Sequence, residues 1–346
     1  MMINLEKEIF EQPAVLSAVY DANKEALTAL VEEIKAQKID NVYFVARGTS
    51  DHACIYAQYL FQIVAGIPCT LGTPSVFTKY KSNVKFNRTL VLGVSQSGRA
   101  EDVMSVLRYA EANGVLTAAI TNNLESPMAK TAKYHLYCTA GEEKSIAATK
   151  TFTSEAYLLA LLCGLVADDQ AFLDELAEVP NGISRLFEES IAQIKNVAED
   201  TKDISGAVVL GRGMVYPIAL EGALKILETN KYKMRGYPVS DFYHGPVAQL
   251  SKDDVAFVLA ASGPVFDDAL AMLDKLDTVG ARSIVITDDK DLSEKRASVL
   301  IPKLRSDLTS PFLFAVVMQL LAANLTIVRG IDPDRSDVIR KVTITK

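Results

Sequence analysis

A chain of 346 residues, 49% hydrophobic and 23% charged, has the apolar content to bury large cores, and its length favours two domains over one. A net charge of −7, with nothing in the sequence resembling a basic stripe, argues against a nucleic-acid or acidic-membrane partner, so any anionic ligand must be held by local donors. The four cysteines, Cys54, Cys69, Cys138 and Cys163, form no C-x-x-C pair, which argues against a zinc site or a disulfide framework and fits reduced cytoplasmic thiols.

The N-terminus carries Glu6, Glu8 and Glu11 where a secretory signal needs basic residues and an apolar core, so secretion is not expected. Residues 4–36 are patterned as helix, with Leu16, Val19, Leu27, Leu30 and Ile34 on one apolar face, and read as a packing arm. Asn41 to Ala46 is a predicted buried strand, and Arg47-Gly48-Thr49-Ser50-Asp51 turns into a helix that ends near Gly66. Leu90 to Val94 is the next strand, followed by the hydroxyl-rich turn Ser95-Gln96-Ser97-Gly98 and a helix opened by Glu101 and Asp102.

A helix start offers unpaired amides and a positive dipole end, so Ser95, Ser97 and the Gly98 amide form a candidate phosphate cradle. Ordinary turn chemistry with a capping serine is the alternative. Leu116 to Thr121 supplies another strand before Asn122-Asn123, and alternating strands and helices predict a parallel sheet covered on both faces. Glu142 to Lys150 then leads into an apolar helix through Ala167, and helices run to about Asp203.

After Asp203 the pattern restarts. Arg212 repeats Arg47 and Ser262 repeats Ser97 at a spacing of 165, and Ile286 repeats Ile120 at 166, each at the end of an equivalent apolar strand. The fold class predicted is therefore α/β, two tandem doubly wound domains, each a parallel sheet flanked by helices, with ligands beyond the carboxyl ends of the strands. The second repeat has Ala261-Ser262-Gly263-Pro264 in place of the serine turn, so only the first is equipped for phosphate. The longest apolar run, Pro311 to Val328, contains Gln319, Asn324 and Thr326 and reads as a buried core helix rather than a membrane span.

On a predicted helix, Glu221, Lys225 and Glu228 fall within about 60° of one another. They form either an exposed row of ion pairs or a carboxylate and an amine facing one pocket. Histidine is scarce. His244 lies in the breaker-rich Tyr243-His244-Gly245-Pro246 and is a candidate acid or base, whereas His52 and His135 are expected to be structural.

These motifs, in order, resemble the double sugar isomerase (SIS) domain family: Ala46-Arg47-Gly48-Thr49-Ser50, Ser95-Gln96-Ser97-Gly98, Ala147-Ala148-Thr149-Lys150, Glu221-Gly222-Ala223-Leu224-Lys225, His244-Gly245-Pro246 and the tail Lys341-Val342-Thr343. They are similar to the isomerase half of glucosamine-6-phosphate synthase, and more so to stand-alone amino-sugar-phosphate deaminases and isomerases. The resemblance implies a homodimer with active sites near the subunit interface. It also implies sugar-phosphate contacts from Thr49, Ser50, Ser95, Gln96, Ser97, Ala147, Ala148, Thr149 and Glu221. Glu228 would be the base that moves a proton between C1 and C2, with Lys225 beside it. His244 would assist ring opening from the neighbouring subunit, and Lys341 would be the tail lysine, in preference to Arg340.

No metal or organic cofactor is implied, and the partner is a small sugar phosphate rather than nucleic acid or membrane. The implied division is a helical arm (1–36), a phosphate-binding SIS domain (37–167), a helical linker (168–203), a second SIS domain carrying the catalytic Glu and His (204–329) and a tail that closes the site (330–346). The chain begins Met1-Met2-Ile3, with no cysteine before Cys54, so no glutamine-hydrolysing domain with a terminal cysteine nucleophile is expected here. Ala100 and Ala148 stand where the synthase has threonine and serine, so two contacts are missing, and Tyr243 stands where a lysine is common. The Ser95-Gln96-Ser97-Gly98-Arg99 and Ala147-Ala148-Thr149-Lys150 forms resemble the stand-alone branch, which implies release of ammonia over its incorporation. The expected reaction converts an amino-sugar 6-phosphate and water to a ketose 6-phosphate and ammonia. The alternatives are a ketosamine-phosphate deglycase that releases an amino acid, and a sugar-phosphate-sensing protein without catalysis.

Overall fold

The structure, a computed structural model, describes residues 2–204, 206–335 and 341. In chain order its elements begin with α1 (Asn4–Phe10), α2 (Gln12–Ala36), β1 (Asn41–Val45), α3 (Thr49–Ile63), β2 (Cys69–Leu71), α4 (Ser75–Thr78), β3 (Thr89–Val94) and α5 (Glu101–Ala112). They continue with β4 (Leu116–Thr121), α6 (Pro127–Thr131), β5 (Tyr134–Tyr137), α7 (Lys150–Val166), α8 (Gln170–Ala177), α9 (Val179–Glu189) and α10 (Ile191–Asp200). The second half contains β6 (Gly206–Gly211), α11 (Tyr216–Asn230), β7 (Lys233–Pro238), α12 (Val239–Tyr243), β8 (Val255–Ala260) and α13 (Phe266–Val279). It closes with β9 (Arg282–Thr287), α14 (Lys290–Lys295), β10 (Ser298–Leu300) and α15 (Pro311–Val328).

The chain divides into two compact units. Unit A comprises Ala14–Glu143 and Lys150–Ala177, with Lys341; unit B takes residues 2–13, 144–149 and 178–335. The two helices of segment 1–36 thus belong to different units, α1 to B and α2 to A, and segment 168–203 is likewise shared, α8 in A and α9 and α10 in B. Membership follows packing rather than proximity along the chain.

Unit A carries a parallel sheet in the order β2-β1-β3-β4-β5, and unit B one in the order β7-β6-β8-β9-β10, the same topology element for element. Registers repeat as well. Phe44 pairs with Leu92 and Val209 with Phe257, each residue displaced by 165 positions. Val94 pairs with Ile120 and Leu259 with Ile286, displaced by 165 and 166. Residues that pair across equivalent ladders at offsets of 165 to 166 establish the internal duplication.

The strands β3 and β8 are buried along their whole length, as expected of parallel strands covered on both faces. On one face of sheet A, Val91, Val103, Leu107 and Met128 form part of a continuous core. On one face of sheet B, Val208, Val258, Met272 and Leu276 do the same. Helix boundaries follow local chemistry. Ser126 caps α6 by accepting from the Ala129 amide at 3.2 Å, Pro217 sits in the first turn of α11, and that helix stops at Lys231 in the left-handed region, φ 58°.

The run Pro311–Val328 is long and apolar enough to cross a membrane, yet 89% of it is buried inside the structure, where it is the core helix of unit B. Its polar residues are satisfied there: Gln319 accepts from Gln12 Nε2 at 2.9 Å, Asn324 donates to the Leu320 carbonyl at 2.8 Å, and the Thr326 hydroxyl donates to the Ala323 carbonyl at 2.7 Å. Close approach of α11 to α15 depends on Gly222, because a Cβ there would lie 2.7 Å from both Cγ and Cε of Met318.

Candidate active site

In unit A the turn after β3 is wired to the neighbouring strand. The Ser95 amide donates to the Ile120 carbonyl at 3.1 Å, and the Asn122 amide donates to the Gln96 carbonyl at 2.9 Å. Gly98 has φ +61°, and a Cβ there would fall 2.3 Å from Ser126 Oγ, so glycine is required by both backbone and space. One expectation changes: the Gly98 amide donates to the Ser95 carbonyl at 3.0 Å, closing the turn on itself instead of pointing to an anion. The helix begins three residues later, with Ala100 as its cap and Asp102 in its first turn. Asp102 is buried and takes Arg47 Nε at 2.6 Å, which ties the turn after β1 to the start of α5. Unit B repeats the clasp with Arg212 and Asp268, also at 2.6 Å.

Beside this turn lies an open cleft of about 310 Å³, lined by Gln96, Ser97, Arg99, Asn122, Glu143 and Lys341 among others. Asn122 shapes its rim by donating to the Gly141 carbonyl at 2.7 Å and accepting from the Ala140 amide at 3.0 Å. Lys341 reaches Glu143 Oε2 at 2.6 Å. Of the expected site residues, Gln96, Ser97 and Lys341 therefore meet in one cleft. Thr49 and Ser50 open α3 in the same unit, but Ser50 turns inward, its hydroxyl donating to Glu155 Oε1 on α7 at 3.0 Å. Arg340, Val342 and Thr343 lie outside the described residues.

The remaining expected residues belong to unit B. The segment Lys144–Thr149, which contains Ala147, Ala148 and Thr149, is pinned from both sides. Glu8 of α1 accepts the Lys144 and Ser145 amides, the latter at 3.3 Å, and Gln319 of α15 donates to the Thr149 carbonyl at 3.3 Å. The short N-terminal helix thus fixes a loop more than 130 residues away, a role its sequence does not announce.

On α11, Lys225 lies between two carboxylates, 3.4 Å from Glu221 Oε1 and 2.7 Å from Glu228 Oε2. The side chains of Glu221 and Lys225 are each 2% exposed, whereas that of Glu228 is 24% exposed. The surface-row alternative is excluded: this is a buried ammonium with one buried and one accessible carboxylate. Burial alone would depress the Lys225 ammonium, but attraction to Glu221 and Glu228 outweighs it and holds its pKa above the ordinary lysine value. Glu228 is thereby oriented by the Lys225 ammonium and remains partly exposed.

His244 follows α12 as its cap and is exposed, its amide donating to the Asp241 carbonyl at 3.0 Å. His135, by contrast, is tucked against Thr121, Nε2 to Oγ1 at 2.8 Å, and burial lowers its pKa. Among the described residues no group of three or more His, Cys, Asp or Glu gathers as a metal site.

Sequence reasoning missed Arg99, Asn122 and Glu143. Asn122 could have been found from its place directly after a parallel strand, the edge at which such sheets bind ligands.

The SIS domain family model matches residues 35–163 and 203–329. This chain belongs to the SIS domain family. It is 35% identical over 341 residues to a glutamine–fructose-6-phosphate aminotransferase (isomerizing) of Methanothermobacter thermautotrophicus and 32% identical over 350 residues to that of Thermococcus kodakarensis. These alignments cover 97% and 98% of this SIS chain but 56% and 57% of the relatives, so it spans little more than half their length. Among solved structures, the C-terminal domain of glucosamine-fructose-6-phosphate aminotransferase from Francisella tularensis superposes with TM-score 0.84 at 26% identity, covering 97% of this chain and 99% of that one. Glucosamine-6-phosphate deaminase from Thermotoga maritima shares the fold, TM-score 0.79 at 24% identity, covering 99% of this chain and 100% of that one.

Proposed function

We propose that this SIS protein is an aldose–ketose isomerase of phosphosugars that acts as a deaminase, converting an amino-sugar 6-phosphate of the glucosamine 6-phosphate type to a ketose 6-phosphate and ammonia. The observation that carries the proposal is the Glu228 carboxylate, partly exposed yet held 2.7 Å from a buried Lys225 whose pKa lies above the ordinary lysine value. A base that collects a proton from one carbon and returns it to the next needs that combination of access and fixed direction.

The sugar phosphate is bound at the Ser95-Gln96-Ser97 turn, with Thr49 of the adjoining strand-to-helix turn and the Ala147, Ala148 and Thr149 segment completing the contacts, while Ser50 supports that turn from behind through Glu155. His244 moves the proton that opens the ring. Glu228 then takes the proton from C2 of the open-chain aldehyde and returns it to C1. With a second proton passing from the C2 amine to O1, this leaves a hydroxymethyl group at C1 and an imine at C2, and water hydrolyses the imine to the ketone and ammonia. Phosphate anchoring positions C1 and C2 against the base. The exposure of His244 in the single chain supports its service to a neighbouring subunit of a cytoplasmic homodimer.

Incubation with glucosamine, galactosamine and fructosamine 6-phosphates, with ammonia and ketose 6-phosphate measured, tests this directly. Ammonia and fructose 6-phosphate from glucosamine 6-phosphate are expected; full turnover by Glu228→Gln would remove the proposed base.

A further inference from the structure

Glu143 stands outside the motifs of the sequence. Its side chain is 0% exposed, although it carries a charge and lines an open cleft. A buried carboxylate must be paired or richly hydrogen-bonded to be tolerated, and Glu143 is both. Oε1 accepts the Thr151 amide at 3.1 Å, and Oε2 accepts the Thr151 hydroxyl at 2.8 Å and the Lys341 ammonium at 2.6 Å. Thr151 lies in the first turn of α7, a helix buried over almost its entire length, where free amides and the helix dipole favour an anion. The carboxylate is therefore mounted on a rigid element at one end and grips the tail lysine at the other.

We infer that Glu143 is the positioning residue for Lys341, holding its ammonium at the cleft beside Gln96 and Ser97 so that it faces the anionic end of a bound sugar phosphate. Lys341 lies 198 positions from Glu143, and its side chain is 25% exposed and lines the cleft, so the ion pair does not bury it. A lysine has four flexible side-chain bonds and no fixed direction of its own, and a second group must supply one. The neighbouring Lys150 ammonium donates to the Glu142 carbonyl at 2.7 Å, so adjacent residues of the same loop serve different lysines. The inference rests on the proposed sugar-phosphate function for its kinetic arm only.

The test uses the full chain with Glu143→Gln, which keeps the acceptor for the Thr151 amide and removes the charge, together with Lys341→Met and the double variant. With glucosamine 6-phosphate, each single variant is expected to lower kcat/KM by about 100-fold, the scale of a misplaced positioning group. The double variant should be no worse than either single one, because both remove the same interaction. Multiplying losses in the double variant, or wild-type kcat/KM in Glu143→Gln, would overturn the inference.

A second arm needs no turnover. Trypsin cleavage after Lys341, followed by mass spectrometry, should run several-fold faster in Glu143→Gln than in wild type, while cleavage elsewhere and the Tm stay unchanged. An unchanged rate after Lys341 overturns the inference even if the enzyme is active. A wild-type protein that makes no ammonia defeats the proposed function without touching this arm. Should Glu143→Gln not fold, Glu143→Asp, which keeps the charge but withdraws it by one methylene, is read by the same two measurements. It should give an intermediate kcat/KM and an intermediate cleavage rate, and wild-type values in both would overturn the inference.

Discussion

Lys225 donates to Glu228 across a single helical turn at 2.7 Å, from a position so enclosed that its side chain keeps 2% of its exposure. Replacing Lys225 by methionine leaves two carboxylates facing each other without their cation, and breaking a buried pair in this way costs about 3–5 kcal/mol. Urea unfolding of Lys225→Met should show a loss of that size. Glu228→Gln removes the more exposed partner, so it should cost less stability while lowering kcat by about 10²–10⁴-fold, the range of a lost general base.

The raised pKa of Lys225 fixes the sign of a pH effect. Because the folded value exceeds the unfolded one, the stabilisation is complete below the unfolded value of about 10.4 and fades as pH rises through the folded value. The wild-type protein should therefore lose stability in strongly alkaline solution by an increment that Lys225→Met lacks. Between about pH 6 and 9, no limb of the activity profile should belong to Lys225.

His135 predicts the opposite limb. Burial lowers its folded pKa, so the neutral ring bonded to Thr121 stabilises the protein above the unfolded value of about 6.5, and that contribution is lost as pH falls. Unfolding midpoints measured at pH 7.5 and 5.5 should converge more closely in His135→Gln than in wild type.

Gly98→Ala should destabilise unit A by about 2–4 kcal/mol, the sum of a left-handed backbone with a Cβ and an overpacked contact. Ser126→Gly in the same chain should recover part of the loss by removing both atoms the new Cβ meets, at 2.3 and 2.5 Å. Ser126→Ala should recover little, because the Ser126 Cβ contact remains. Thermal unfolding of the three variants separates the two contributions.

Much of this was legible in the sequence, because repeated strand ends at a constant spacing are a property of order along the chain. The ladders Phe44–Leu92 and Val209–Phe257 express that spacing as paired backbone. The charged helix face was legible too, since Glu221, Lys225 and Glu228 obey helical periodicity. Whether that face was buried depended on α15 packing over Gly222, about a hundred residues downstream. Glu143 was missed because a buried acid in a polar loop is spelled like an exposed one, and its partner Lys341 is remote in sequence. The inward turn of Ser50 toward Glu155 and the self-closure of the Gly98 amide are likewise choices of direction, which residue identity leaves open.

The Gln12–Gln319 hydrogen bond in unit B imposes an order of events during synthesis. Its two side chains are separated by 307 positions, so at ribosomal speeds Gln12 waits about 15–60 s for its partner to be made. During that interval the sheet of unit A, whose strands lie between Asn41 and Tyr137, already has every strand it needs. In the loop Lys144–Thr149, the Thr149 carbonyl does not gain its Gln319 donor until α15 has been made. Nascent chains should therefore acquire a protected first sheet early, and the Ala147-Ala148-Thr149 segment should become ordered only near the end of translation.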